Sequence, residues 1–454
     1  MTERPATPRE LSALLRLAGP FAFLQLANHL LSVVSTGIVG RVGEVAQSAV
    51  GLGSSLFFGV AILAMGFVFG FDPLFAQALG AGEQGAARSY ARQAGWMVLL
   101  AGLPVAAVLV GLSFGLAAFG VDDAVAADTR DYLLARTPGL LPYLLGGAAR
   151  GYLQAAGITR PLLTAALVAN VVNVPLSGLL ILGDEALQAA GFAAVGLPAL
   201  GALGAGLANG VTGALIAWVL LRASAAAGAS ALPRGRPNIE LLRRAARIGA
   251  PLALQLFAEV SAFTLATVLA GGFGARALAA HSIALAWASL TFQVAVGLSV
   301  AASVRVGLAI GRGDVKGTRQ AGFVALGTGA TINGGLALVF VLLPGSLARL
   351  LSDEAGVVAV ATPLLVVAGA FQVVDALQGV AAGALRGAGD TRTTMVANLI
   401  GHYAVGLPVG LALAYALGLG VTGLWWGLSA GLGSVALLLT VRFAQLSGRS
   451  IERS

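Results

Sequence analysis

Cysteine is absent from this sequence and charge is scarce. Without a thiol the chain forms no disulfide, builds no thiolate metal site and carries no cysteine nucleophile. Charged residues fill only 10% of 454 positions, against about a quarter in a soluble domain. That is too little charge to coat a watery surface. One lysine, Lys316, stands beside 26 arginines, and the three histidines are too few and too scattered for a zinc site. No Walker A sequence and no His-Glu-x-x-His are present, which excludes ATP hydrolysis by this chain and zinc-peptidase chemistry.

What is abundant is apolar sequence. Hydrophobic residues make up 58% of the chain and the mean hydropathy is +0.90. The 64 glycines keep no three-residue period, so collagen is excluded. The net charge of +8 does not indicate nucleic acid, because the basic residues are scattered through short connectors instead of gathered on one aromatic-bearing face.

Runs long enough to cross a bilayer core of about 30 Å recur at 14–40, 48–79, 93–120, 131–155, 161–183 and 196–221. The second half repeats the series at 247–271, 278–310, 318–344, 356–386, 393–417 and 420–444. This predicts an all-α polytopic membrane protein of about twelve helices. Membrane β-strands would be far shorter and would alternate in polarity. Arg4, Arg9 and Arg16 lead into a first run that is too long for a signal h-region and has no clear cleavage site, so it reads as a retained helix. The polar stretch 222–246 reads as a linker between two six-helix lobes, 1–221 and 247–454.

Arginine placement sets the expected orientation. With the N-terminus inside, the inside connectors hold Arg88, Arg92, Arg160, Arg234 and Arg312 among others, while Asp122, Asp123, Asp184 and Glu185 collect outside. Both termini are then cytoplasmic.

The lobes repeat at an offset of about 231 residues. Pro20 matches Pro251, and "LGAGEQGAAR" (79–88) matches "IGRGDVKGTR" (310–319). An even number of helices per unit makes this a parallel repeat, an arrangement that places a cavity where the repeats meet. "GAGD" (387–390) matches the Gly-x-Gly-Asp of intramembrane aspartyl proteases. Its repeat partner "AAGI" (155–158) marks it as a turn, so the chain is not read as an enzyme.

Ionisable residues at membrane depth are costly and draw attention first. The candidates singled out within the runs are Asp72, Glu259, Arg305 and Asp375, with His29, His281 and His402 as neutral or switchable groups. Glu259 and Asp375 both lie in the second lobe, where the repeat puts Asn28 and about Leu144 at the matching places of the first. Two carboxylates in a low-dielectric cavity cannot both stay ionised cheaply. A proton or a hard cation such as Na⁺ relieves that cost, and Gln255 and Gln378, one turn from the acids, offer further oxygens. The bland alternative is that each acid meets an arginine and only holds helices together. Asp72, before Pro73, either pairs with Arg305 to close one side or serves substrate or protons; both readings stay open. His29 neighbours Asn28, and His281 lies near a helix end. A lone helical histidine is more often a packing residue than a ligand.

The stretches "FAEVSAF" (257–263), "ALAAHSIALAW" (277–287), "SVRVG" (303–307) and "VVDALQGVAAGALRG" (373–387) resemble the multidrug and toxic compound extrusion (MATE) family, NorM branch, and the likeness covers nearly the whole chain. The resemblance implies two pseudosymmetric lobes around a central V-shaped cleft in a bacterial inner membrane. It also implies export of cationic or lipophilic small molecules by a monomer in exchange for Na⁺ or H⁺, with no other cofactor. The family's helix-seven Glu and helix-ten Asp fall on Glu259 and Asp375, which would hold Na⁺ if sodium couples transport. A first-helix Asp of the family is matched by Ser35, and a Tyr of some relatives by Phe371, whose ring face still attracts a cation. Asp72, in "GFDPLFAQALGAG", resembles eukaryotic relatives. The alternatives are a flippase for lipid or polysaccharide precursors, whose cavity would be cationic, and a membrane scaffold or receptor without transport.

Overall fold

The computed structural model describes residues 7–453, apart from the side chains at positions 7, 8, 28–36 and 119. Every regular element among them is helical. The first half comprises α1 (Thr7–Val39), α2 (Glu44–Phe69), α3 (Asp72–Gly80), α4 (Gln84–Gly115), α5 (Asp123–Arg136), α6 (Leu140–Ala155), α7 (Arg160–Leu182), α8 (Asp184–Ala189) and α9 (Gly201–Ala226). The second comprises α10 (Ile239–Gly271), α11 (Ala275–Gly311), α12 (Val315–Leu342), α13 (Pro344–Arg349), α14 (Ala355–Gly387), α15 (Thr391–Leu399), α16 (Leu407–Leu411) and α17 (Gly420–Leu446). π-helical turns at Ile400–Gly406 and Ala412–Ala416 continue α15 and α16 into one long span.

Among the described residues ten helices are long and apolar enough to cross a membrane, with α2 and α3 counted as one. The other two expected places fall on α1 and on α5–α6. A three-residue 3₁₀ turn carrying Pro138 divides α5 from α6, so neither piece alone reaches bilayer length. Pro73 has a similar effect. A turn at Gly70–Phe71 interrupts the helix, which restarts at Asp72 with the proline in the first turn, where its missing N–H costs nothing.

The chain forms two compact units: residues 1–22, 72–83 and 254–454 make one, and 23–71 and 84–253 the other. This division differs from the expected lobes at 1–221 and 247–454. The cuts after Ala22 and Ala253 are 231 residues apart, the offset of the repeat, and each follows its matched proline by two residues. Pro20 and Pro251 both lie inside helices, where proline removes a ladder hydrogen bond. The connection between α9 and α10 is also shorter than the linker expected at 222–246. It covers only 227–238, because Arg222 belongs to α9 and the Arg243–Arg244 pair to the opening turns of α10. Gln93 of α4 pins it by donating to the Arg236 carbonyl at 3.2 Å and accepting from the Asn238 N–H at 2.9 Å.

Close helix approach accounts for part of the glycine excess. In the 254–454 unit, Cβ atoms on Gly383 and Gly387 of α14 would strike the backbone of Ser299 and Ser303 on α11. In the other, Gly66 of α2 faces the backbone of Ala253 on α10. Packing of backbone on backbone is what drives helix association in lipid. The four turns matched by the repeat each carry a glycine with positive φ: Gly82 at 77°, Gly157 at 73°, Gly313 at 69° and Gly389 at 81°. The motif at 387–390 is therefore a helix terminus. Asp390 caps α15 by accepting from the Thr393 N–H at 3.2 Å, and takes the Arg442 guanidinium at 2.8 Å.

Asp184, just past α7, organises the loop that follows α8. Its carboxylate accepts from the N–H groups of Val195, Gly196 and Leu197 at 3.0, 2.9 and 3.1 Å. These bonds, Val195's foremost, hold its carboxyl below the usual carboxylate range. A depressed value means the loop's anchoring is complete above the ordinary aspartate value and fades as pH falls through the lowered one. Asp184→Asn should therefore speed amide hydrogen exchange at 195–197 at neutral pH. Strong acidification should do the same to the unmodified protein, and unchanged exchange in the variant would contradict the anchoring role.

A candidate cation site on α10 and α14

Glu259 sits midway along α10 and Asp375 in the middle of α14, both in the unit containing 254–454. Asp375 is 3% exposed, whereas Glu259 is half-buried. The two carboxylates lie within coulombic reach of each other. Among the described residues neither accepts a hydrogen bond, and neither belongs to an ion pair. Arg386, in the last turn of α14, acts coulombically on Glu259, and its guanidinium donates to Ser299 Oγ at 3.0 Å. Two neighbouring carboxylates with no donor between them form a site for a positive charge.

The flanking amides suit that purpose unequally. Gln378, one turn after Asp375, donates from Nε2 to Asn398 Oδ1 at 3.3 Å, which leaves its buried Oε1 without a partner. That oxygen is a ready ligand for a hard cation. Gln372 accepts from Thr291 Oγ1 at 2.6 Å, and its Nε2 is the group left over. Gln255 is buried one turn before Glu259. Phe371 meets Phe263 at 6.0 Å and Trp425 at 5.4 Å, both edge-on, and is 2% exposed. Its ring is part of an aromatic core. Among the described residues no group of three or more His, Asp or Glu side chains is placed to hold a metal, so any ion would rest on these two acids and neutral oxygens.

Of the two readings left open for Asp72, a pair with Arg305 does not form among the described residues. Arg305 gives its fork to Glu10 of α1, Nε to Oε1 at 2.7 Å and Nη2 to Oε2 at 2.5 Å. Glu10 lies before the first apolar run, 295 positions away, which is why a reading confined to the runs passed it over. Both groups are mostly buried, at 21% and 14% side-chain exposure. Arg305→Glu or Glu10→Arg alone should destabilise the purified protein by about 1.5–3 kcal/mol, the range for charge-assisted bonds. The double exchange should recover much of the lost Tm, and no recovery would deny the pairing. Asp72 stands at the start of α3, half-buried. The side chains of Asn28, His29 and Ser35 lie outside the described residues.

His281 behaves as a packing residue. It is fully buried, accepts at Nδ1 from Trp425 Nε1 at 3.1 Å, and pairs at Nε2 with Thr267 Oγ1 at 3.0 Å. Since the Thr267 hydroxyl donates to the Phe263 carbonyl, the Nε2 proton belongs to His281. The ring is locked as one neutral tautomer.

Three arginines inside helices, all within the runs 131–155 and 356–386, are not among the charges singled out above. Arg386 is one. Arg136 ends α5 with its guanidinium 4.2 Å from the Phe57 ring, bonded to the Tyr132 hydroxyl and, at 3.2 Å, to Ser54 Oγ. Arg150, on α6, lies 4.7 Å from the Phe69 ring. It lines a cleft of about 570 Å³ with Gln25, Tyr143 and Met65, within the 23–71 and 84–253 unit. Arg150 and Arg386 precede repeat-matched turns, a regularity that could have flagged both.

Comparison with known proteins agrees with this architecture. The MatE family profile matches residues 20–179 and 251–412, one stretch in each half. A probable multidrug resistance protein NorM of Rhizobium meliloti (strain 1021) is 35% identical, covering 97% of this chain and 95% of its own. The multidrug resistance protein NorM of Burkholderia vietnamiensis is 37% identical over 98% and 96%. Among solved structures, the eukaryotic MATE transporter AtDTX14 superposes with a TM-score of 0.85 at 22% identity, covering 98% of this chain and all of its own. The Vibrio cholerae MATE transporter VcmN gives 0.85 at 19% identity over 97% and 98%.

Proposed function

Because the chain belongs to the MatE family, we propose that this multi-pass membrane protein is a monomeric multidrug exporter driven by cation exchange. Its substrates are cationic or lipophilic small molecules, and it works in the bacterial inner membrane with both termini cytoplasmic. Glu259 and Asp375 bind the coupling ion, H⁺ or Na⁺, and drug and ion favour different states of the transporter. That difference in affinity turns the ion gradient into export. The observation that supports this most is the buried Asp375 carboxylate, without a donor or counter-ion and beside a second carboxylate. A charge so placed costs several kcal/mol in a membrane interior unless a cation visits it. The names of the curated NorM relatives support the drug-export part.

The flippase alternative draws on Arg150 and its cleft, since a cationic recess suits an anionic head group. Proteoliposomes decide between the two. Exporter function predicts that imposed pH or sodium gradients, applied separately, drive ethidium exchange in at least one case. Movement of a pyrophosphate-bearing lipid with no gradient-driven ethidium exchange would favour the flippase.

A further inference from the structure

His402 is buried to 3% exposure, yet among the described residues neither of its ring nitrogens has a hydrogen-bond partner. It contrasts with His281, whose nitrogens are both engaged. An orphaned buried donor and acceptor cost roughly 1–3 kcal/mol each, so such groups in a membrane protein call for something to satisfy them. His402 lies in the π-helical turn Ile400–Gly406, a distortion often associated with functional sites.

His402 lines a narrow open cleft that runs along Ala262 and Leu269 of α10, Gly406 and Gly410, and Leu424 of α17. It lies wholly within the 254–454 unit. The chain directions fix which way it points. Residues rise from 262 to 269 on α10 and from 402 to 410 on the π-broken span, while α17 runs oppositely from 428 to 424. All three lead away from the matched turns, toward the end where α10 finishes and α17 starts.

Helix register relates His402 to the acid pair. Phe263 stacks edge-on with His402 at 6.3 Å and with Phe371 at 6.0 Å. Glu259 is one turn below Phe263 on α10, and Asp375 one turn below Phe371 on α14. On the far side of the acids, Gln378 bonds to Asn398, which is one turn below His402. His402 therefore lies about one helical turn, roughly 5 Å of axial rise, from the level of the carboxylates.

We infer that this cleft binds water, and that His402 passes protons between that water and the Glu259–Asp375 pair. This rests on the cation-exchange reading and says how one of its ions arrives. The step is balanced. Neutral imidazole takes a proton from a hydronium ion in the cleft, leaving water, and the imidazolium releases the proton of its other nitrogen through water to a carboxylate of the pair. A ring flip or a reverse hop then resets the tautomer. The titratable groups around it are few: Glu259 from α10, Asp375 from α14 with Arg386 further along, and Tyr403 on its own turn. Tyr403 is held by its hydroxyl's bond to the Ala258 carbonyl at 3.0 Å. The stretch of α17 lining the cleft contributes only Leu424 and Leu428, with Trp425 committed to His281.

The test uses the full chain in proteoliposomes, with ethidium as substrate and a pH gradient as the drive. His402→Phe should slow exchange by about tenfold or more, as expected when a positioned proton carrier is lost, and leave equilibrium ethidium binding unchanged. His402→Gln keeps one donor and one acceptor but cannot relay, so it should be slowed alike, and it decides the matter if the Phe variant fails to fold. X-ray hydroxyl-radical labelling of the unmodified protein should mark Tyr403 and Leu265 as water-contacted. Exchange at the unmodified rate in both variants, or unlabelled cleft side chains, overturns the inference. So does exchange that follows sodium and ignores pH, although that outcome leaves cation-coupled export standing. Unimpaired exchange by Asp375→Asn would instead remove the exporter reading itself.

Discussion

Cells that depend on this protein should lose their drug resistance when Asp375 is replaced by Asn, with the same amount of protein in the membrane. The substitution keeps shape and removes charge. It costs the fold little, because among the described residues the carboxylate makes no hydrogen bond or ion pair that the amide would forfeit. What it removes is the demand for a cation. If binding of ion and drug are coupled by 1–3 kcal/mol, as is usual for linked sites, the loss amounts to about 5- to 150-fold in gradient-driven exchange. A helix-locking acid would behave in the opposite way, since its loss would lower the amount of folded protein and leave the remaining molecules active. Resistance per molecule, with expression measured in parallel, separates the two.

The second large effect concerns a residue of opposite charge. Arg386 is within coulombic range of Glu259. Its positive charge weakens the hold of the acids on any visiting cation. Replacing it by Met keeps the apolar stem and removes the charge. A unit charge roughly 10 Å from a site contributes about 1.7 kcal/mol at an effective dielectric of about 20, or somewhat more than tenfold in affinity. The half-saturating concentration of the coupling ion should therefore fall by about tenfold in Arg386→Met, while turnover drops because the ion leaves slowly. Glu259→Gln should weaken ion binding instead. Two substitutions that move ion affinity in opposite directions are hard to obtain from general damage. If Arg386→Met weakened ion binding, the guanidinium would have to be part of the site.

The features legible in the sequence were those with a local physical signature. The acid pair stood out because charge at membrane depth is expensive. The repeat stood out because turns at 79–88 and 310–319 need the same glycine and capping chemistry, and the compact units divide at points 231 residues apart. His281 read correctly as packing. The illegible features depend on distant partners. Nothing near Arg305 announces Glu10. Pairing by depth alone nominated Asp72 instead. Arg136, Arg150 and Arg386 lie toward the ends of the runs 131–155 and 356–386, where a charge costs least and draws least attention. His402 gave only the weak signal shared by all three histidines, since a π-helical turn has no compositional mark and a histidine without partners looks in sequence like one with two. Small-residue spacing was discounted because glycine is everywhere. Only the structure distinguishes Gly383 and Gly387, which touch backbone, from glycines that face open space.

The central claim is that drug and cation exchange at the Glu259–Asp375 site. Its most direct test is ion release from purified protein on adding ethidium, followed with a pH-sensitive dye in weakly buffered solution and a sodium-sensitive one in parallel. The unmodified protein should release one of the two ions in step with ethidium binding, and Asp375→Asn should bind ethidium and release neither. Equal release from both proteins, or ethidium binding by the unmodified protein with no ion released, would contradict it.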